Sequence, residues 1–412
     1  MFLEKTLKKP FSSGKKKSLH SYMKTFLMTS FLMEFAGQLF FFTLPLLAIQ
    51  YGANSAQLGI LGGIGSLFYI PFSILFSTLS GKKHLKKINF PLVSSATTGL
   101  FIILTLFFRN IQFLYIIAAC TSISLAGLWP PLMLKINEKT EKEKSGSVVG
   151  KFSTAWSTGT TLGPIIAGIL YQKYVFLPVI CSAVIFFLTS QSFLSFTKDV
   201  QEKKEIVSPD IREIKKRPDI KTLMFAYIGI FAVYFSFGAV RNLFPRLATD
   251  IGLKPSRIGL LFSLMDFFRT GTFFFFSKKV SAYKIPLFFV IYGVLAYFSL
   301  TGIIFTNSSL LFAVNFALLG GCLCGIYYAY GLYTVFTITK GYTVTVGLFE
   351  AIIGIGVSTG SFLGGFCTRW LGERSPYIVS LITGIIISIV QILMITKRAT
   401  GSTLDRVTEN FE

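Results

Sequence analysis

Twelve apolar stretches follow one another along this chain, at residues 25–51, 56–80, 88–108, 111–134, 146–172, 174–197, 220–248, 256–277, 284–306, 309–338, 341–370 and 375–396. Each is long enough to cross a bilayer as a helix, which takes about 20 residues. In hydrocarbon every backbone N–H and C=O must find its partner inside the segment, so runs of this length are expected to be helices. Short loops and tails are all that remain of the 412 residues. The expectation is an all-α polytopic membrane protein. Only 14% of the residues are charged, against roughly 25% in a soluble domain, so a soluble enzyme, a nucleic-acid binder and a disordered chain are all excluded.

The net charge of +22 is a topology signal. An even number of spans puts both termini on one side, and 31 lysines and arginines lie on that side against seven on the other (Arg109, Lys173, Arg246, Lys254, Arg257, Arg369 and Arg374). Basic loops stay in the cytoplasm, so both termini are expected there, with the chain in the cell membrane and anionic lipid headgroups as partners of the basic loops. The amino-terminal region is basic, but the apolar run after it is about twice a signal-peptide core in length. It reads as the first span.

The longest internal polar stretch, from Lys198 to Lys221, divides the spans six and six. The expected organisation is a basic tail (1–24), a first six-helix bundle (25–197), a linker (198–219), a second bundle (220–397) and a tail (398–412). These halves repeat. Pro45–Leu61 recurs as Pro245–Leu261 at an offset of 200, with 6 of 17 positions identical, and Ser157–Gly163 recurs as Ser358–Gly364 at an offset of 201. Parallel repeats of six spans point to a transporter of two pseudo-symmetric bundles, its substrate site between them near the midplane.

Chemistry of other kinds finds little footing. All five cysteines lie in apolar stretches without a CxxC, and His20 and His84 sit among lysines, so neither a zinc site nor a cofactor is expected. No GxxxxGK[ST] phosphate loop and no catalytic constellation is present. The chain is not read as an enzyme or a primary pump.

Across roughly residues 20–400 the sequence resembles the major facilitator superfamily, by span count, 6+6 division, cytoplasmic termini and charged central loop. The fifth span carries that family's G-x8-G-x3-G-P-x2-G-G pattern as Gly150, Gly159, Gly163, Pro164, Ala167 and Gly168, with alanine for one glycine. Small residues at such spacing let helices approach closely, and a proline bends the span. The resemblance associates this pattern with exporters, above all drug:proton antiporters; a close-packed helix pair without bearing on direction is the alternative. The family's loop pattern after the second span is partial: Gly81, Lys82, Lys86 and Lys87 stand in a cytoplasmic gate loop that lacks the family's aspartate. A basic residue in the fourth span, used by proton antiporters, is missing.

A charge at the bilayer centre costs about 2.5–3.5 kcal/mol on insertion scales, so each one inside a span is a functional candidate. Glu34, Asp266 and Glu350 each sit about ten residues, hence about 15 Å, into their spans. Gln38 shares a helical face with Glu34, and Glu34 is read as a proton-coupling or substrate residue, with a buried packing residue as the alternative. Asp266 and Arg269, three apart, form either part of the site or an intrahelical ion pair. Arg241 in the seventh span could hold an anionic group or an acid across the bundles, and Glu350 precedes a glycine-rich contact face. Trp129, Tyr327 and Tyr328 are candidate cavity aromatics for an amphipathic solute, or packing residues.

The resulting expectation is a monomeric secondary transporter of a small organic solute working by alternating access. Proton-driven efflux by antiport comes first, and proton- or sodium-coupled uptake of a sugar or organic acid second. A membrane sensor without transport is the alternative of another class.

Overall fold

The structure, a computed structural model, describes residues 13–81, 89–132, 145–194, 220–276, 286–331 and 343–409. Among these there is no strand. Twelve helical elements follow the twelve apolar stretches: α1 (Ser13–Gln50), α2 (Ser55–Gly81), α3 (Phe90–Leu104), α4 (Ile111–Ala126), α5 (Ser145–Lys173), α6 (Leu177–Ser192), α7 (Ile220–Asp250), α8 (Pro255–Phe276), α9 (Pro286–Phe305), α10 (Ser309–Leu318, continuing as a π-helix over Leu319–Tyr327), α11 (Thr343–Leu371) and α12 (Ser375–Glu409). Helices α1 and α12 extend well past the apolar runs into the polar tails. A helix satisfies its own backbone whether its side chains meet lipid or water, so polarity alone does not end it.

Turn chemistry sets the hairpins. Gly52 and Gly252 have φ of 83° and 80°, a conformation glycine adopts without strain. Each closes its helix with the same pair of bonds: Tyr51 N to Leu47 O (3.0 Å) and Ala53 N to Ala48 O (2.9 Å) after α1, then Ile251 N to Leu247 O (3.1 Å) and Leu253 N to Ala248 O (2.8 Å) after α7. This is a glycine C-cap in duplicate. Asn110 caps α4 by accepting from Phe113 N.

Two apolar clusters form the core, one mainly in each half, the second also taking in Leu39, Phe42, Leu46 and Ala167 of the first half. Phe26, Phe40, Leu47, Ile117 and Phe186 fill the first; Phe244, Phe262, Phe312, Phe316 and Tyr377 fill the second. Large apolar side chains such as Phe298 (68% exposed), Phe305 (82%) and Leu310 (73%) face outward, as lipid-facing positions do. Among the described residues, seven helices are, taken alone, long and apolar enough to cross a membrane.

Two seams join the halves near the end remote from the termini. In the first, between α2 and α11, a Cβ on Gly365 would stand 2.6 Å from Ser55 O, and Ser358 Oγ donates to Gly63 O (3.0 Å). In the second, between α5 and α8, a Cβ on Gly168 would stand 2.5 Å from Pro255 O, and Ser263 Oγ accepts from Ile165 N (3.0 Å). At the same end Ser55 Oγ donates to Glu373 and Arg246 donates to Ala53 O (3.3 Å), both from one half to the other.

These contacts correct the repeat on α5 and α11. Gly159 packs on Phe31 O, Glu34 Cβ and Phe35 N, and Gly356 packs on Phe231 O, Tyr234 Cβ and Phe235 N. Gly168 meets Pro255 where Gly365 meets Ser55. Position 159 therefore answers to 356, an offset of 197, and not to 360 as the offset of 201 implies. The cause is physical: glycines recur every four residues at 356, 360 and 364, so slipping the alignment by one helical turn still matches glycine with glycine.

Replacing Gly365 by leucine should part the α2–α11 seam, since overpacking costs typically 1–3 kcal/mol, enough to shift a closed–open equilibrium about tenfold. The measurement is maleimide labelling of Ser55→Cys, 2% exposed in the closed seam, in a chain whose five native cysteines are replaced. Labelling should accelerate in Gly365→Leu; an unchanged rate would show that the seam is not what shields this position.

Candidate functional site

Four helices from both halves bring their polar residues to one place. Helix α1 contributes Glu34 and Gln38, one turn apart; α5 contributes Trp156 and Thr160; α7 contributes Arg241; α8 contributes Asp266 and Arg269. The glycines of the fifth-span pattern make this possible. Gly159 lets α5 close on the Glu34 Cβ, at 3.0 Å from where its own Cβ would be, and Gly163 does the same against Gln38. Any larger side chain would push α5 off α1 and separate Thr160 from the cluster.

The bonding runs as a chain. Gln38 Nε2 donates to Glu34 Oε1 (2.8 Å), and Arg241 Nη2 donates to Gln38 Oε1. Arg241 Nη1 pairs with Asp266 Oδ2 at 2.9 Å. Arg269 Nη2 lies 3.1 Å from Asp266 Oδ1 as an ion pair and donates to Thr160 Oγ1 (3.1 Å). One carboxylate is thus shared by two guanidinium groups. Trp156 is a further hydrogen-bonding neighbour of Glu34, and Arg269 and Asp266 act on it electrostatically. Aromatic rings wall the cations: Arg241 Cζ is 5.1 Å from the Phe262 ring centre and 5.7 Å from that of Phe237, and Arg269 Cζ is 5.3 Å from that of Trp156. Such contacts strengthen when water is excluded.

The cluster is deeply set. Asp266 is 1% exposed, and Glu34 9%; the Arg241 side chain, at 14%, is the more open cation. Arg269 Nε finds no hydrogen-bond acceptor. The hydrogen-bond partners of Glu34 are neutral, whereas those of Asp266 are cationic. With all four groups ionised the charge sums to zero; with Glu34 protonated it is one positive.

Of the residues singled out from sequence, the structure brings together Glu34, Gln38, Arg241, Asp266 and Arg269. Asp266 and Arg269 do pair within their helix, yet the same carboxylate also reaches Arg241 on α7. Gly159 and Gly163 abut the cluster from α5, and Pro164 and Gly168 lie farther along the α5–α8 seam. Tyr327 stands apart: it packs against the positions of Gly229 and Gly293 and donates to Gln391, inside the second half. Tyr328 contacts Tyr234 and Phe349, and Trp129 lies edge-on to Phe152 in the first half. Gly81 ends α2, and Lys82, Lys86 and Lys87 lie outside the described residues. Gly150 and Glu350 lie on α5 and α11, the Glu350 side chain outside the described ones. Sequence reasoning missed Trp156, Thr160, Phe237 and Phe262. Trp156, Thr160 and Gly163 follow one another at four- and three-residue spacing on one face of α5, a periodicity that places them together without marking them as functional. Among the described residues no group of His, Cys, Asp and Glu could hold a metal ion.

Comparison with the repeat separates this cluster from the scaffold. At the offset of 200, Glu34 answers to Tyr234, Gln38 to Gly238, Arg241 to Phe41, Asp266 to Ser66 and Arg269 to Tyr69. The partner positions hold no carboxylate and no guanidinium. The same helix contacts form in both halves, so the charges are not what the packing requires.

Comparison with known proteins agrees with this architecture. The model described as Major Facilitator Superfamily matches residues 26–343. The multi-drug resistance efflux pump PmrA of Streptococcus pneumoniae is 25% identical over 272 residues, which span 62% of this chain and 66% of the pump, just under two thirds of its length. The multidrug resistance protein MdtG of Proteus mirabilis is 28% identical over 167 residues, 38% of this chain and 41% of that one. Among solved structures, a bacterial homologue of the human lysosomal transporter Spinster, inward-facing and unoccupied, superposes with a TM-score of 0.67 at 12% identity, covering 91% of this chain and 96% of its own. The nucleoside transporter NupG gives 0.67 at 12% identity, with 90% and 98% covered. At such identities the structures speak for the fold alone.

Proposed function

Because the chain belongs to the major facilitator superfamily, we propose that it exports a small organic solute across the cell membrane in exchange for protons, with both termini in the cytoplasm and Glu34 as the proton-binding group. The observation that carries this reading is the asymmetric charge cluster: ionisable groups stand at mid-depth where the repeat shows that packing does not need them. Keeping charges there without a structural need marks a pathway for ions or substrate. The multidrug efflux names of the relatives support the outward direction, as does the glycine pattern of α5.

In this mechanism the two halves rock about the cluster, and solute and proton occupy it in turn. Glu34 sits on the first half and the arginines on the second, so a ligand spanning them touches both moving bodies. A ligand can shift the equilibrium between two conformations only through differential contacts of this kind. The lone carboxylate with neutral partners is the group whose protonation changes the net charge of the site, and hence its preference for the next ligand. Asp266 lies between the two guanidinium groups and keeps the arginines in place.

The test is proton flux in liposomes. The purified protein is reconstituted with a pH-sensitive dye inside, a proton gradient is imposed, and pooled solutes are screened. Solute-dependent proton movement opposite to the solute supports antiport. Movement in the same direction would replace antiport by symport, and folded protein without flux for any pool would overturn proton coupling.

A further inference from the structure

The amide of Gln38 occupies an unusual position. Its NH2 group donates to the Glu34 carboxylate and its C=O accepts from the Arg241 guanidinium. One small neutral group therefore presents a donor to an acid on the first half and an acceptor to a base on the second. An ammonium and a carboxylate carried close together on one molecule present the same pair, each with a full charge. Charge-assisted hydrogen bonds of this type are roughly twice as strong as neutral ones.

We propose that the site binds a zwitterionic organic solute with an apolar body, its ammonium against Glu34 and its carboxylate against Arg241, in the place that the Gln38 amide fills in this structure. This rests on the reading of Glu34 as the proton site and names the substrate class for it. Two further observations bear on the choice. A lone cation would face Arg241 and Arg269, and a lone anion would face Glu34 and Asp266, whereas a zwitterion offers each side its counter-charge and leaves the sum of charges unchanged. The guanidinium groups are walled by Phe237, Phe262 and Trp156, which suits an aromatic body.

The scheme also gives the coupling a sense. A proton on Glu34 removes the partner of the ammonium, so proton and solute compete for one carboxylate. Competition for a single group is what exchange requires. Arg241 is then a specificity-determining residue, and Gln38 a reversible stand-in.

The experiment measures binding by intrinsic tryptophan fluorescence, with three matched probes at pH 8: L-phenylalanine, phenethylamine and 3-phenylpropanoate. Phenylalanine is expected to bind at least roughly tenfold tighter than either singly charged probe, the scale of one charged hydrogen bond. Glu34→Gln should erase the advantage over 3-phenylpropanoate, and Arg241→Gln the advantage over phenethylamine. Gln38→Ala, which removes the stand-in, should tighten phenylalanine binding several-fold. A cavity-lining residue of merely structural role would weaken it. Equal affinities for the three probes, no binding of phenylalanine, or weakened binding in Gln38→Ala would overturn the proposal. Its failure is separable from that of the transport reading: flux driven by other solutes and lost in Glu34→Gln, without preference for the zwitterion, removes only the substrate class. Zwitterion-selective binding without proton flux removes only the coupling.

Discussion

Glu34→Gln is expected to fold as the parent does and to lose solute-driven proton flux, down to the leak of protein-free liposomes. Glutamine reproduces the shape of a protonated glutamate and still offers a carbonyl to Gln38 Nε2, which now donates to Glu34 at 2.8 Å. Packing against the position of Gly159 is unchanged, so the melting temperature in detergent should move little. What disappears is the only carboxylate of the cluster whose partners are neutral. Flux is read with the internal dye under an imposed gradient, with circular dichroism as the folding control. If Glu34→Gln carried protons at the parental rate, the coupling group would have to be sought elsewhere, with Asp266 first in line.

Asp266→Asn should act in the opposite way, on the fold before the function. Asp266 is 1% exposed and holds Arg241 and Arg269 at 2.9 and 3.1 Å. An asparagine leaves two guanidinium groups in the interior of the bundle with Glu34 as the one carboxylate remaining in the cluster. Removing one partner of a buried pair costs about 3–5 kcal/mol, largely because the remaining charge is stranded. Against a total stability of about 5–15 kcal/mol that is severe, and the variant should show a large fall in melting temperature and poor recovery from the membrane. Asp266→Asn combined with Arg269→Gln should recover a good part of the loss, because the double change removes charge in balance. A single variant as stable as the parent, or a double variant no better than the single, would show that the pair contributes nothing to the fold.

Much of this was legible before any coordinates. The number and order of the helices followed from the length of the apolar runs, because lipid leaves the backbone no alternative. Glu34, Asp266 and Arg241 stood out for the same reason, as each is expensive where it lies. What sequence could not supply was the joining of these residues. Glu34 and Arg241 are 207 positions apart in the chain, and only the packing of α1 against α7 lets Gln38 bridge them. Thr160 and Trp156 were hidden by being ordinary: a threonine and a tryptophan in an apolar span carry no charge to advertise them. The repeat on α5 and α11 was misregistered because glycine every fourth residue looks the same after a slip of one turn. The aromatic candidates fared as their abundance suggests, since in a chain with 45 phenylalanines and 17 tyrosines aromatic character alone distinguishes no position.

The glycine seams have a further consequence, concerning wear. A transporter must break and remake the same contact in every cycle, and a joint glued by large apolar side chains would resist each opening. Where Gly168 meets Pro255 and Gly365 meets Ser55 the touching surfaces are mostly backbone. Helices in lipid associate through close packing of this sort, not through the exclusion of water. Such a joint is precise when shut and has little apolar area to expose when it parts, so it behaves as a dry latch that can be released many times without the protein having to be rebuilt around it.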